Sequence, residues 1–275
     1  MTYTILPWHD VMLNPYVPWL AAATYLITVF ALKEVAKRWL PMLRPGERRL
    51  TGVVAVHNAF LCLLSVVMFF NIARYAAIHL IGEYRNYESW QPWIWQHYCD
   101  PSRRVYEAAP QLMFWCYVFY LSKYYEFLDT FFLALKGKQI SFLQLFHHAT
   151  VPIVCWSFHN ARWGVHWVFA LANAFVHVPM YFYFAVQSYD PERAKGFWWK
   201  RYLTQIQIVQ FIGDFSLIFP YTIYVFAYGG RVEDCNYNGF ALYFNAIVVL
   251  AYLGLFVNFY LRTYRPPSTK QKKVE

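Results

Sequence analysis

The chain has 275 residues, of which 59% are hydrophobic, 22% are aromatic and only 14% are charged. Together with a positive mean hydropathy, this composition excludes an ordinary soluble domain and indicates a helical protein that crosses a membrane several times. The formal net charge of +9 does not indicate nucleic-acid binding, because the Lys and Arg residues gather in short segments between apolar runs.

Seven apolar runs of roughly the length that a membrane span needs follow one another along the chain. They cover residues 12–32, 51–73, 111–135, 142–158, 165–187, 202–226 and 240–262. The stretch between the second and third runs, about 74–110, is predicted as a loop at the membrane surface, where Trp90, Trp93 and Trp95 would lie among the headgroups. No internal repeat or linker divides the sequence. Residues 1–275 are therefore expected to form one all-α domain of seven transmembrane helices.

The distribution of basic residues predicts the orientation of the chain in the membrane. Seventeen Lys and Arg residues follow the first, third, fifth and seventh runs, whereas six lie on the opposite side. Because an excess of positive charge stays on the cytosolic side, the N-terminus is predicted to be lumenal and the C-terminus cytosolic. The tail, residues 262–275, ends in Lys272-Lys273-Val-Glu, which resembles a dilysine signal for return to the endoplasmic reticulum. We therefore expect a multi-pass protein of the endoplasmic reticulum membrane.

Four of the predicted spans carry polar residues at a similar depth from the cytosolic side. In the third span, the helical repeat places Lys123, Glu126 and Thr130 on one stripe with Asp129 beside them. At about 1.5 Å per residue, these side chains lie roughly 8–18 Å from the cytosolic end of the span. The other polar residues predicted at this depth are His147, His148, Asn173, His177, Tyr181, Thr204, Gln207 and Gln210. Polar side chains are tolerated in lipid when they face one another, so this convergence predicts a polar chamber in the cytosolic half of the membrane.

The residues of this chamber bear on several classes of function. A di-iron oxidase needs many His and carboxylate ligands, whereas the sequence has nine histidines, no HxxxH spacing and a single His-His pair. A zinc site at His147, His148 and His177 is disfavoured, because neighbouring residues on a helix point about 100° apart. A transporter or receptor with a central polar site is the main alternative, although the sequence lacks the internal repeat typical of transporters. An acyl-transfer enzyme fits better, since neutral imidazole is a good nucleophile and base and the many aromatic residues suit a long hydrocarbon chain.

Motifs on four of the spans resemble those of the very-long-chain fatty acid elongase family, the membrane 3-ketoacyl-CoA synthases. They are Lys123-x-x-Glu126-x-x-Asp129-Thr130, Gln144-x-x-His147-His148, Asn173-x-x-x-His177-x-x-Met180-Tyr181-x-Tyr183 and Thr204-x-x-Gln207-x-x-Gln210-Phe211. Two positions depart from the family pattern. Gln144 stands where the family usually has His, a variant associated with polyunsaturated-acyl elongases of algae and other protists, and Phe184 stands where Tyr is usual.

The resemblance implies condensation of a long-chain, unsaturated acyl-CoA with malonyl-CoA, which releases CO2 and CoA and leaves a 3-oxoacyl-CoA two carbons longer. It implies seven helices around the polar chamber and an acyl tunnel, and no cofactor. The partners would be a ketoacyl-CoA reductase, a dehydratase and an enoyl-CoA reductase in the same membrane, and a homo-oligomer is left open. Candidates for contact with the CoA phosphates are Lys136, Lys138, Lys200 and Arg201, which also satisfy the positive-inside rule.

The resemblance also assigns roles to individual residues. His147 is expected to attack the acyl thioester and form an acyl-imidazole, while His177 positions the substrates and His148 completes the catalytic set. The alternative is that His147 and His177 act only as acid and base in a ternary complex. The supporting residues are Lys123, Glu126, Asp129, Gln144, Asn173, Tyr181, Thr204, Gln207 and Gln210. Among these, Gln144 is expected to orient the chemistry without titrating.

Two further expectations concern single residues outside the motifs. Cys99 and Cys235 fall on the predicted lumenal side of the membrane, where oxidation is favoured, and are predicted to form a disulfide. A lone histidine in a span, such as His57, more often forms a hydrogen bond between helices than takes part in catalysis.

Overall fold

The structure is a computed structural model that describes residues 8–39, 47–84, 98–99, 107–228 and 239–264. The all-α prediction is confirmed, because these ranges are almost entirely helical and contain no strand. The helices are α1 (His9–Leu13), α2 (Tyr16–Trp39), α3 (Glu47–Tyr84), α4 (Pro110–Tyr125), α5 (Phe127–Leu135), α6 (Phe142–Ala161), α7 (His166–Tyr189), α8 (Pro191–Lys195), α9 (Lys200–Tyr228) and α10 (Gly239–Tyr264).

Four of the described helices contain segments that are long and apolar enough to cross a membrane, so a multi-pass membrane protein is confirmed. The segments are Tyr16–Arg38, Leu50–Gly82, His166–Tyr189 and Gly239–Tyr264. The other three predicted spans correspond to α4 with α5, to α6 and to α9, which carry many of the polar residues of the predicted chamber. The count of seven transmembrane helices stays a prediction.

Two element boundaries differ from the sequence-based expectation. The second span does not end near residue 73, because α3 continues to Tyr84 through a segment rich in Ala, Ile and Leu that contains no proline. The prediction of a loop from residue 74 was therefore wrong in its first part, and the three tryptophans of that loop lie outside the described residues. In α6 the helix runs to Ala161 instead of 158, and Arg162 then adopts the left-handed conformation, with φ 54° and ψ 37°.

The third predicted span is divided into two helices at Glu126. The backbone N–H of Glu126 still bonds to the carbonyl of Ser122 (2.9 Å), but the N–H of Asp129 bonds to the carbonyl of Glu126 (3.1 Å), three residues back. The Ser122 hydroxyl also donates a hydrogen bond to Glu126 Oε1 (3.1 Å). A tightened turn of this kind inside a helix often marks a functional position, and here it lies in the middle of the predicted polar stripe.

The helix that carries the adjacent histidines, α6, packs against α2, α4 and α10, while α3 packs along α7. An apolar cluster around Phe158, Trp163 and Phe169 joins the end of α6 to the start of α7, and Ile218 and Val249 pack into it from α9 and α10. Burial of this cluster holds these ends of the helices together.

Both helices that carry the predicted catalytic histidines contain an internal proline, Pro152 in α6 and Pro179 in α7. Proline has no backbone N–H, so the carbonyl group four residues earlier, that of His148 in α6 and that of Phe175 in α7, has no regular helical partner. The regular hydrogen-bond pattern of both helices is therefore interrupted beside the histidines.

Candidate active site

A large chamber lies between α3, α5, α6, α7 and α9, with an empty volume of about 2900 Å³ that includes its opening. Its wall runs from the exposed Lys138 to the buried His177. The predicted site residues that line it are Glu126, Asp129, Gln144, His147, His148, Asn173, His177, Tyr181, Gln207 and Gln210. Residues from motifs on four separate stretches of sequence thus face one cavity, which is the arrangement that makes intramembrane polar groups tolerable.

His147 and His148 occupy different environments although they are neighbours on α6. Their ring centroids lie 5.5 Å apart and the rings are nearly perpendicular, at 82°. His148 is buried and stacks with Tyr25 of α2, whereas the partly buried His147 lies 4.8 Å from the ring of Tyr252 in α10. Within the described residues, the Nδ1 atoms of both rings have no hydrogen-bond partner. In each ring, Nδ1 therefore forms no hydrogen bond with the part of the protein that the structure describes.

The Tyr252 hydroxyl ties α10 to the helix that carries the histidines. It lies 2.7 Å from the Thr150 hydroxyl and 3.5 Å from the backbone carbonyl oxygen of His147. Both contacts lie within one turn of His147 on α6. Tyr252 therefore covers the side of the His147 ring that faces α10. Tyr252 lies in an apolar run with no polar periodicity, so no pattern in the sequence identifies it.

A buried ion pair lies behind the chamber wall, where Lys123 of α4 meets Glu126. Lys123 Nζ donates hydrogen bonds to Glu126 Oε1 (2.8 Å) and to Asn173 Oδ1 of α7 (2.9 Å), and it lies 4.1 Å from the centre of the Phe119 ring. Lys123 and Glu126 are only 1% and 2% exposed. A buried pair of this kind gives little net stability compared with apolar residues, so its value lies in the geometry it imposes.

This geometry directs Asn173 and His177 toward the chamber. Since Asn173 accepts from Lys123 through Oδ1, its amide N–H groups are left to face the cavity that Asn173 lines. His177 Nδ1 lies 3.8 Å from Glu126 Oε1, too far for a hydrogen bond. Asn173 of α7 is thus held by Lys123 of α4, which is not among the residues that line the chamber.

Asp129 connects three helices. Its Oδ1 lies 2.7 Å from His57 Nε2 of α3, and its Oδ2 accepts a hydrogen bond of 2.8 Å from the Tyr181 hydroxyl of α7. His57 was expected to form a hydrogen bond between helices, and its bond to Asp129 is of that kind. It also places His57 on the chamber wall, which a lone histidine in an apolar run does not reveal.

Gln144 bonds to residues of the chamber without touching the histidine rings. Its Nε2 donates to Thr130 Oγ1 (3.1 Å), which also accepts from the Tyr25 hydroxyl (3.0 Å). Its backbone N–H is capped by the Ser141 hydroxyl (3.1 Å) at the start of α6. Gln144 therefore links α6 to α5 and, through Thr130, to the ring that stacks on His148.

Of the predicted polar residues of α9, Gln207 and Gln210 line the chamber, whereas Thr204 does not. Gln207 Nε2 lies 3.5 Å from Met180 Sδ, and Gln210 Nε2 donates to Asp214 Oδ2 (3.1 Å). Thr204 is buried but is not among the residues that line the chamber. The buried carboxyl group of Asp214 was not identified from the sequence, because it follows the last motif residue and lies in an apolar segment.

The four basic candidates for CoA contact lie in two places. Lys136 and Lys138 line the chamber. Lys200 instead donates to the backbone carbonyl of Lys195 (3.1 Å), and Arg201 Nε donates to the Tyr260 hydroxyl (2.7 Å). Contact of any of them with CoA phosphates stays a prediction.

A second, smaller cavity adjoins the chamber between α4, α6, α7, α9 and α10, with an empty volume of about 610 Å³ that includes its opening. Its lining is mostly apolar and aromatic, and it shares His147, Asn173, Gln210 and Phe211 with the chamber. It extends as far as His159, which lies about 18 Å beyond His147 along α6 at the helical rise of 1.5 Å per residue. An elongated apolar cavity that begins beside a histidine is suited to a hydrocarbon chain.

The cysteines and the metal-ligand types complete the description of the site. Cys99 is buried and disulfide-bonded, whereas Cys62, Cys116 and Cys155 are free. The predicted partner Cys235 lies outside the described residues, so the pairing itself stays a prediction. Among the residues that the structure describes, no group of three or more His, Cys, Asp or Glu side chains could hold a metal ion.

Comparison with known proteins identifies the family. The model of the family described as ELO: GNS1/SUR4 family matches residues 10–272, which is nearly the whole chain. The chain belongs to the ELO family. The resemblance stated from the sequence motifs is therefore confirmed, and the residues that carried it include those that line the chamber.

Curated ELO relatives are similar to this chain over most of its length. Fatty acid elongase A of Dictyostelium discoideum is 31% identical over 264 residues, which cover 94% of this chain and 87% of that protein. Very long chain fatty acid elongase 5 of Rattus norvegicus is 29% identical, with 95% and 79% covered, and very long chain fatty acid elongase 4 of Homo sapiens is 30% identical, with 94% and 74% covered. The ELO relationship thus extends over the helices that form the chamber and the second cavity.

Proposed function

We propose that this ELO protein is a condensing enzyme of fatty acid elongation. It would join a long-chain acyl-CoA to malonyl-CoA and give CO2, CoA and a 3-oxoacyl-CoA two carbons longer. One observation carries the proposal: His147 lines both the polar chamber and the second, mostly apolar cavity, so it lies where a polar head and an acyl chain would meet.

In the first half of the reaction, a lone-pair nitrogen of His147 attacks the thioester carbonyl carbon. The carbon–sulfur bond breaks, and the departing thiolate receives the proton of the imidazole, so that free CoA and an acyl-imidazole result. Splitting the reaction in this way replaces one difficult step by two easier ones. The apolar surroundings of the second cavity exclude water that would hydrolyse the acyl-imidazole.

In the second half, malonyl-CoA loses CO2, and the resulting enolate carbon attacks the acyl carbonyl carbon. The bond to His147 breaks, and the released nitrogen takes up one proton from solvent, which restores the neutral imidazole. Negative charge develops on the thioester and acyl oxygens during these steps, and preorganised hydrogen-bond donors would stabilise it. Asn173, oriented by Lys123, and His177, whose Nδ1 lies 3.8 Å from Glu126 Oε1, are the candidate donors beside His147. His148, packed on Tyr25, supports the ring of His147 from behind.

Other parts of the proposal concern substrate and location. We expect the acyl chain to be unsaturated, as the Gln144 variant of the family motif implies, and the CoA phosphates to meet Lys136 and Lys138 beside the chamber. The reaction would need no cofactor, because the two thioesters and one proton from solvent contain all the atoms and electrons that it rearranges. We further propose that the protein resides in the endoplasmic reticulum membrane, where the reductases and the dehydratase of the cycle would process its product.

The decisive experiment incubates the purified protein with an acyl-CoA in the absence of malonyl-CoA. Release of one CoA per protein, together with an acyl mass on the peptide that contains His147, is expected, and the variant His147→Ala should show neither. Absence of CoA release combined with normal turnover after malonyl-CoA is added would instead favour the ternary complex, in which His147 and His177 act as acid and base. Absence of any 3-oxoacyl-CoA product would refute the condensing function.

A further inference from the structure

The second cavity ends where α6 and α7 are connected. On α6 its lining begins at His147 and ends at His159, and on α7 it begins at His166 and ends at Asn173. Because only residues 162–165 connect the two helices, His159 and His166 lie at the same end of the cavity, with their ring centroids 5.7 Å apart. His147 and Asn173 also line the chamber, so they mark the opposite end. The cavity thus leads from the proposed reaction centre to a pair of histidines.

His166 presents a buried hydrogen-bond acceptor at this far end. Its Nδ1 lies 2.7 Å from the backbone carbonyl oxygen of Trp163, and since a carbonyl oxygen can only accept, Nδ1 carries the ring proton. The other nitrogen, Nε2, then has a lone pair and no proton, because a second proton would bury a charge without a partner. Nε2 has no hydrogen-bond partner among the described residues, and His166 is only 5% exposed. This end of the cavity therefore lacks a hydrogen-bond donor.

An unpaired acceptor restricts the kind of group that suits the far end. The methyl end of an ordinary acyl chain leaves Nε2 unsatisfied, which is unfavourable for a buried polar atom. An ammonium group could donate, but it would carry its charge into a mostly apolar cavity at a high cost. A hydroxyl group is neutral, donates one hydrogen bond and is similar in size to a methyl group. The group that fits best is therefore a hydroxyl at the end of an acyl chain.

We propose that the second cavity selects ω-hydroxyacyl-CoAs, in which the terminal carbon carries a hydroxyl group, and that His166 Nε2 accepts a hydrogen bond from this hydroxyl. The inference rests on the proposed condensing function and adds a substrate class to it. His166 is a specificity-determining residue, because the far end lies about 18 Å from His147 along α6 at 1.5 Å per residue. The preferred chain is the one whose hydroxyl reaches His166 while its thioester carbon lies at His147.

The test measures kcat/KM for 3-oxoacyl-CoA formation with pairs of acyl-CoAs that differ only in a terminal hydroxyl or a terminal methyl group. The pairs cover a series of chain lengths. At one length the hydroxylated member should be favoured about tenfold, which is the range of one net hydrogen bond. At shorter lengths it should be disfavoured, because its hydroxyl meets apolar walls without an acceptor. The sign of the preference is decisive, since a purely apolar end would reject the hydroxyl at every length.

Variants of His166 assign the preference to its ring. His166→Phe removes the acceptor but keeps an aromatic ring, so the methyl member should be favoured at every length. His166→Gln can still accept through Oε1 and should keep part of the hydroxyl preference. His79→Phe is the matched control, because His79 is a buried histidine of α3 that is not among the residues lining either cavity. It should show the preference of the unaltered protein. If His166→Phe does not fold, the length series on the unaltered protein decides alone.

A preference for the methyl member at every length in the unaltered protein would overturn the proposal, as would a hydroxyl preference that survives in His166→Phe. An advantage for a hydroxyl placed near the thioester would also overturn it, because the recognition would then belong to Asp214, which bonds to Gln210 at the chamber end.

If no acyl-CoA of either kind gives a 3-oxoacyl-CoA, the condensing function fails separately, and the selection is judged on binding. Greater thermal stabilisation of the protein in detergent by the hydroxylated member at one chain length, lost in His166→Phe, would then support it. Equal stabilisation by both members at every length would overturn it.

Discussion

Lys123 and Asn173, fifty residues apart in the chain, are joined by a hydrogen bond of 2.9 Å between Nζ and Oδ1. The bond fixes which end of the Asn173 amide faces the chamber, because a lysine can only donate. It also gives the ammonium group of Lys123 a second partner besides Glu126. Lys123, which is buried behind the chamber wall, thus leaves the N–H groups of Asn173 to face the chamber.

Replacement of Lys123 should therefore affect stability and activity separately. Lys123→Met leaves the Glu126 carboxylate buried without a cation, which is expected to destabilise the fold by about 3–5 kcal/mol. Adding Glu126→Gln should restore most of the stability but not the activity, since Asn173 still lacks its donor. The measurement is the fraction of monodisperse protein left after heating in detergent, together with the rate of product formation.

The control for this prediction is Lys195→Met, which removes a Lys–Glu pair of the same i,i+3 type, at 2.7 Å from Glu192 on the exposed surface. No measurable change is expected there, because exposed ion pairs contribute little. Full recovery of activity in the double variant of Lys123 and Glu126 would contradict the orienting role of Lys123.

Gln144 is predicted to orient the site through Thr130 and not to exchange protons. Gln144→His should keep substantial activity, because an imidazole can still donate to Thr130 Oγ1, while Gln144→Ala should lose much of it. Thr130→Val, which removes the acceptor, should resemble Gln144→Ala. Product formation from acyl-CoA and malonyl-CoA measures each effect, and complete loss in both Gln144 variants would argue against orientation alone.

The second cavity is predicted to limit the length of the acyl chain. Ala170 lines it and is only 2% exposed, so Ala170→Leu would fill part of its volume. The variant should retain elongation of the shorter acyl-CoAs and lose the longest ones in a mass-resolved product profile.

Ala174→Leu is the matched control for this change, because Ala174 is equally buried one turn later on α7 and is not among the residues that line the cavity. Both variants overpack the same apolar cluster, which should lower the stability of the fold by about 1–3 kcal/mol each. A change in the length of the acyl products in Ala170→Leu alone would therefore report on the cavity and not on general destabilisation. Identical product profiles in the two variants would show that the acyl chain lies elsewhere.

The predicted disulfide can be examined in the intact protein. Peptide mapping without reduction should find Cys99 linked to Cys235, whereas the three cysteines that are free in the structure should be alkylated after unfolding. These three thiols serve as the internal control for the labelling. Alkylation of Cys99 or Cys235 in unreduced protein would dispose of the pairing.

The predicted orientation and retrieval signal concern the tail, which lies outside the described residues. Replacing Lys272 and Lys273 with Ser should shift part of the protein from the endoplasmic reticulum toward the Golgi in fractionated cells, while Lys270→Ser should not. A C-terminal tag that is protected from protease in sealed microsomes would be incompatible with a cytosolic C-terminus.

The polar residues on α4, α5, α6 and α7 could be predicted because the helical repeat places them on single faces. Lys123 with Glu126 and Asn173 with His177 are three and four residues apart, so each pair shares a side of its helix in any helical fold. The charge pattern and length of the apolar runs were sufficient to indicate a membrane protein, but they do not determine which helices meet.

The place of His57 on the chamber wall and the contacts of Tyr252 could not be identified in this way. The partner of His57, Asp129, is 72 residues away, and that of Tyr252, Thr150, is 102 residues away. Contacts across such separations depend on helix packing, which no local pattern specifies. The break at Glu126 was also missed, because it depends on how the Ser122 and Lys123 side chains meet one carboxylate.

The bond between Thr150 and Tyr252 has a consequence for biosynthesis. The segment with His147 leaves the ribosome about a hundred residues before the helix that supplies the Tyr252 hydroxyl, given their separation of 102 positions. Throughout that interval one side of the His147 ring lacks its neighbour, and the second cavity lacks the wall that Val249 and Tyr252 provide. A nascent chain inserted up to α9 therefore has its histidines in the membrane without a closed acyl cavity, and condensing activity should begin only when the last helix has docked.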